Sequence, residues 1–261
     1  MKYQMLGKIM ILLCCVVWIF SYVTASDAKK PISSEQSYLY KTTFIRAAPG
    51  KLLDLIDLMK EQMAVHDAAG DKRPFWWRHT QGDQWDLMML YPMGDYTEFY
   101  SKERVEHRDQ AQASSSLPPQ DFEKRFQEDV AWHEDIFVMG PPLEIVEYVF
   151  KNTSFYHCEI FIALPGKHAE LFKQREMENA YLYDIGRPQN LIFTRDQGAA
   201  WDLFTLGCYK DMDQWAASSD IPREKREAAA IKAGFEGSDM IGPYMRTLIL
   251  MHRDTIGVAI R

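Results

Sequence analysis

Sliding the chain against itself by 116 residues brings three blocks into register without a gap. Pro49-Gly50-Lys51 falls on Pro165-Gly166-Lys167, Gln81-Gly82 on Gln197-Gly198, and Trp85-Asp86-Leu87 on Trp201-Asp202-Leu203 (165 − 49 = 116). Tyr40, Ala47, Leu55, Ala64, Gly70 and Asp95 also meet identical residues at that offset. Blocks that recur at one spacing mark a supersecondary unit made twice, so the fold must be one that two copies complete together. Glu134 with Glu236 and Gly140-Pro141 with Gly242-Pro243 suggest a second offset of 102, which assigns the first copy 14 extra residues (116 − 102 = 14). The polar stretch from Lys102 to Gln120, with Ser114-Ser115-Ser116 and Pro118-Pro119, reads as that insertion and as a surface loop.

Each copy has the same local signals. Tyr38–Ala47 and Phe155–Ala163 are rich in aromatic and β-branched residues and read as strands. Pro-Gly-Lys ends each strand and opens a helix; Leu52, Leu55, Ile56, Met59 and Met63 form one apolar helical face, and Gly70 and Gly186 stand where the helices should stop. The strand pairs Phe75–Gln81 with Trp85–Tyr91, and Leu191–Gln197 with Trp201–Cys208, are joined at Gly82-Asp83 and Gly198-Ala199, which suits a tight type II′ turn. Asp95 with Glu98, and Asp211 with Gln214, have capping-box spacing. Phe122–Trp132 and Arg223–Ala233 read as helices, and Leu143–Phe150 and Thr247–Met251 as final strands. The expected fold is α+β: two tandem βαββαβ ferredoxin-like units with their sheets packed face to face.

A strand, Pro-Gly-Lys, an amphipathic helix and a hairpin with an aromatic on its second strand resemble the dimeric α+β barrel superfamily, over nearly all of the chain after its leader. The resemblance implies a pseudo-dimeric α+β barrel in one chain, with a small hydrophobic or aromatic molecule held between the sheets. Cofactor-free oxygenation or isomerisation of a conjugated substrate is the activity it implies. The alternatives are a non-catalytic exported module whose sheets pack solidly and whose surface meets another protein, and a haem protein. A pseudo-twofold monomer is expected, because the duplication lessens the need for a second chain.

Residues 1–26 read as a signal peptide. Lys2 and Lys8 precede an apolar run of 15 residues, Ile9 to Val23, followed by Thr24, Ala25 and Ser26. That run is short of the ~20 residues that span a bilayer. The first repeat then covers 27–152 and the second 153–261, in a periplasmic or extracellular protein with no stable span after cleavage. A net charge of −7 and no basic run beyond the leader argue against nucleic acid as a partner. Cys158 and Cys208 remain after cleavage, and a disulfide or two buried thiols both stay open. No metal-ligand spacing is present, and haem is the minor alternative to a cofactor-free site, since one His suffices as an axial ligand.

Residues matched in both copies, Trp85-Asp86 and Trp201-Asp202 above all, read as structural. Asymmetric polar positions are the better site candidates. Met59 and Met63 correspond to Arg175 and Asn179, so an apolar helix face becomes polar in the second copy. His157 and Glu159 share a strand face and could exchange a proton. His79 and Arg195 correspond across the repeat, and Trp77 and Tyr91 stand in the aromatic cluster around the first hairpin. His157, Glu159, His79 and Arg175 are the expected catalytic groups, with Asn179, Arg195, Trp77 and Tyr91 around the substrate.

Overall fold

The computed structural model describes Ile32 and residues 34–260; the signal-peptide reading lies outside them. The first repeat runs β1 (Tyr38–Ala47), α1 (Leu52–Ala69), β2 (Phe75–Gln81), β3 (Leu87–Gly94), α2 (Tyr96–Phe99), α3 (Lys102–Ser114), α4 (Pro119–Asp129) and β4 (Val130–Gly140). A connecting helix, α5 (Leu143–Lys151), leads to β5 (Phe155–Ala163), α6 (His168–Ile185), β6 (Asn190–Gln197), β7 (Leu203–Tyr209), α7 (Met212–Ala216), α8 (Arg223–Ala233), α9 (Ile241–Arg246) and β8 (Ile249–Ala259). All strand pairs are antiparallel and close a barrel in the order β1-β3-β2-β8-β5-β7-β6-β4. The pairs β2–β8 and β4–β6 cross between repeats, so the two units share one barrel.

The repeated motifs do matched work. Gly70 and Gly186 end α1 and α6 in the left-handed conformation, at φ 72° and 83°. Asp95 and Asp211 cap their helices by accepting from the backbone N–H of Glu98 and Gln214, and the Gln214 side chain accepts from the Lys210 N–H one residue before the cap. Asp86 and Asp202 accept from the backbone N–H of Ala47 and Ala163, pinning each hairpin to the first strand of its repeat.

Three local expectations are corrected. The fourth strand is β4, which ends at Gly140; Leu143–Phe150 forms α5 instead. In α5, Val146 and Phe150 recur at helical spacing beside Ile145 and Val149, and this face packs on the barrel core. Thr43 pairs with Asp135 and Glu159 with Asp254, so the repeat offset grows from 116 (159 − 43) to 119 (254 − 135), not down to 102. The 14-residue insertion therefore does not exist, and Lys102–Gln120 is mostly α3 and the start of α4. The hairpin connections are also longer than a two-residue turn, spanning 82–86 between β2 and β3.

The expected space between the two sheets is filled. Tyr40 and Tyr156, Trp85 and Trp201, and Trp77 and Phe193 project into the barrel with Phe44, Met88, Ile136, Ile160, Phe204 and Leu206, all buried. An eight-stranded barrel has an interior just wide enough for side chains, and duplication delivers each bulky residue twice. Trp77 and Phe193, equivalent at 116, each seat against a glycine: a Cβ on Gly257 would lie 2.5 Å from Trp77, and one on Gly140 2.3 Å from Phe193. The cavity beside Trp85 and Trp201 is about 40 Å³, enough for a water and not for an aromatic ligand. Cys158 and Cys208 lie in this core as free thiols. Burial pushes both thiols up, so neither is ionised at neutral pH.

Candidate functional site

With the barrel closed and filled, a roomy place for a ligand is the layer between the outer strand faces and the helices. Strand alternation sends Lys41, Thr43 and Ile45 of β1 outward, and His157, Glu159 and Phe161 of β5 likewise. Helix α1 covers the first set and α6 the second. The same layer is thus built twice, and its two versions differ.

In the first repeat the layer is open. A cleft of about 750 Å³ lies between β1, β3 and β4 on one side and α1 and α4 on the other. Its apolar lining includes Ile45, Met59, Phe122, Phe126 and Trp132. Its polar groups include Lys41, Thr43, Gln62, His66, Tyr91 and Asp135. The Lys41 ammonium stands 4.7 Å from the centre of the Tyr91 ring and 3.5 Å from the Asp135 carboxylate. The Thr43 hydroxyl donates to Asp135. The His66 and Tyr91 rings are 5.7 Å apart. Burial pulls the His66 pKa below its usual 6.5, with Asp71 opposing and Lys41 reinforcing the shift, so the imidazole is neutral at pH 7. Burial raises the Tyr91 phenol, aided by the Asp135 charge, which keeps it protonated, and its hydroxyl donates weakly to Met89 Sδ at 3.3 Å.

In the second repeat the layer is closed by charge. Arg175, which replaces Met59, is 2% exposed and lies over the Phe161 ring at 4.9 Å. It pairs with Glu178, the counterpart of Gln62, and stands 3.5 Å from Glu159, the counterpart of Thr43. Its Nε donates to Gln174 at 2.7 Å. Thr205 donates to Glu159, and His157 lies 3.2 Å from Asp254. Burial raises the Glu178 pKa despite Arg175. For His157 burial alone would lower the pKa, but the Asp254 bond and the Glu159, Asp254 and Glu178 charges outweigh it and the result is a raised value.

The expected site residues therefore separate. His157, Glu159 and Arg175 do come together, but as an ion network around a buried Arg175. Asn179 exchanges hydrogen bonds with the backbone of Asn190, fastening α6 to β6. Trp77 is core, packed on Tyr156 and Phe150. His79 sits against Trp85 near the barrel end, its pKa lowered by burial. Arg195 pairs with Asp202 at the second hairpin. Tyr91 alone lines the open cleft. His66, Gln62 and Lys41 were missed as candidates; the signal was their spacing, since Met59, Gln62 and His66 recur at i, i+3 and i+7 on one helix face.

Haem matches these residues poorly. In the second repeat Arg175 and its partners occupy the space a macrocycle would need. The first cleft offers His66 and His133 as axial donors, but its one lysine already faces Asp135, and Glu123 and Asp135 would oppose two propionates. No group of three or more metal-ligating side chains is found among the described residues.

No protein-family model and no curated protein matches the chain. Solved structures do. An anthrone oxidase-like protein aligns over 88% of this chain and 95% of its own, with a TM-score of 0.54 and 13% identity. A candidate monooxygenase from Fusobacterium nucleatum aligns over 85% of this chain and 92% of its own, at 0.50 and 13%. Identity this low speaks to the fold alone. With its closed antiparallel barrel and outer helices, this chain has the fold of the dimeric α+β barrel superfamily.

Proposed function

We propose that the chain binds a flat hydrophobic molecule in the first-repeat cleft and acts on it as an acid–base catalyst, in the manner of a cofactor-free monooxygenase or isomerase. The observation that carries this reading is a neutral, partly buried His66 beside Tyr91 and Lys41, in a cleft of about 750 Å³ that sets apolar side chains beside polar ones. A neutral imidazole can take a proton from an activated C–H or O–H of a conjugated substrate. Lys41 and the Tyr91 hydroxyl then stabilise the delocalised anion that forms. Returning the proton to another carbon completes an isomerisation. Reaction of the anion with dioxygen, converting a CH₂ to C=O with release of water, completes an oxygenation. An anthrone, suggested by the fold relative, is the first substrate to try.

The leader supports export to the periplasm or the extracellular space, and mass spectrometry of the mature protein is expected to place its N-terminus near residues 26–27. Binding tests the cleft itself. Titration calorimetry with 2-acetylnaphthalene, a neutral flat probe, is expected to show one site. Met59→Arg, which copies the second repeat, is expected to abolish it. Unchanged binding in Met59→Arg would overturn this placement, and oxygen uptake with an anthrone that survives His66→Gln would remove His66 as the base.

A further inference from the structure

Behind the cleft lies a second space, of about 350 Å³, between α1 and α3. Gln62 and His66 line both spaces. Met59, Gln62, His66 and Ala69 fall at i, i+3, i+7 and i+10 of α1, a single stripe of the helix, with Met59 in the cleft and Ala69 in the rear space. The two spaces are therefore consecutive lengths of one trough that follows α1. From Met59 to Ala69 the helix rises about 15 Å.

The polar side chains of the rear space are engaged with one another. Asp71 carries ion pairs to both Arg104 and Arg108. The Arg108 guanidinium lies 4.0 Å from the centre of the Phe99 ring and donates to the Phe99 carbonyl. The Gln62 amide donates to Gln112 at 2.8 Å, and Gln112 donates onward to the Leu117 carbonyl. Asp109 is exposed at the rim. Val65, Ala69 and Pro119 supply apolar walls. A charged group entering this space would give up its water for side chains that already have partners. An aliphatic group has no such cost and gains by leaving water.

The room is particular to the first repeat. On α6 the same stripe carries Arg175, Glu178, Leu182 and Ile185, so a buried isoleucine stands where the first repeat has only a methyl group. Val65 and Ala69 meet Ala111 of α3 through short side chains, and the space lies beside that contact. We propose that the trough binds an elongated ligand, with a flat aromatic head in the cleft next to His66 and an unbranched aliphatic tail in the rear space. This names the substrate class of the cleft and rests on the reading of the cleft given above.

The test compares two ketones with one head, 2-acetylnaphthalene and 2-hexanoylnaphthalene, by calorimetry on the full protein. The second is longer by four methylenes, each worth about 4-fold in affinity when fully buried. Ordering the tail takes part of that gain, so the hexanoyl ketone should bind at least ~10-fold more tightly. Ala69→Ile copies the second repeat and fills the rear space, and it should erase the ratio between the two probes. In wild-type protein the Val65 and Ala69 methyl NMR signals should move with the hexanoyl ketone and stay in place with the acetyl one. Equal affinities in the wild type, a ratio that survives Ala69→Ile, or methyl signals that do not distinguish the probes would overturn the tail subsite alone. Failure of both probes to bind would overturn the cleft reading and the subsite with it. The two wild-type measurements decide the question even if the variant does not fold.

Discussion

Arg175→Met places in the second repeat the residue that the first repeat carries at Met59. Arg175 is buried and faces two carboxylates, Glu159 at 3.5 Å and Glu178 in closer contact. Removing one partner of a buried ion pair typically costs about 3–5 kcal/mol, because the remaining charge is left uncompensated. The raised Glu178 pKa lets that group take a proton and relieve part of the cost, so the lower end, about 3 kcal/mol at pH 7, is expected. Glu178→Gln and Glu159→Thr complete the copy of the first repeat and remove both stranded charges. The triple variant should then lie within about 1 kcal/mol of wild type, since a buried ion network and well-packed neutral residues are often equivalent in stability. The assay is urea unfolding with matched slopes, comparing single, double and triple variants. A single variant within about 1 kcal/mol of wild type, or a triple variant no better than the single, would refute the idea that charge compensation closes this layer.

Other outcomes follow from the same geometry. His157 has a folded-state pKa raised above 6.5, so its contribution to stability is full below about pH 6.5 and fades as pH rises through the folded value. His157→Gln should therefore cost most stability in mildly acid buffer and progressively less as pH rises through the folded value, read by urea unfolding across pH. Gly140→Ala forces a Cβ to 2.3 Å from Phe193 in a filled barrel and should cost about 1–3 kcal/mol by thermal or urea unfolding. A neutral result there would mean that the interior has slack. Asp86→Ala and Asp202→Ala each strand a backbone N–H, at Ala47 and Ala163, and should each cost about 1–3 kcal/mol while leaving ligand affinity unchanged.

The duplication was legible because it carried backbone-determining residues. Pro-Gly-Lys, the helix-ending glycines and the Trp-Asp pairs act locally, so their spacing survives in sequence and structure alike. Strands β1 and β5 were legible to the residue for the same reason. Strand β4 was not. His133, Glu134 and Asp135 place three polar residues in its middle, and no Gly or Pro separates it from the helical pattern of α4. Gly140-Pro141 then looked like a strand start when it was a strand end. The site was harder still. Period-two alternation showed that His157 and Glu159 share a face, but in a barrel wrapped by helices both faces are buried. Nothing in that alternation says which face lines the barrel and which meets a helix. The open cleft also depends on what is absent, since Met59, Gln62 and Thr43 leave room where Arg175, Glu178 and Glu159 fill it.

The most direct measurement is where an aromatic probe sits. Heteronuclear NMR of the protein with 2-acetylnaphthalene should perturb Met59, His66, Tyr91 and Phe126, which line the cleft. Signals from Tyr156, Phe193 and Leu206 inside the barrel should stay in place. Shifts centred on those interior residues, with the cleft unmoved, would contradict a solid barrel and an external site.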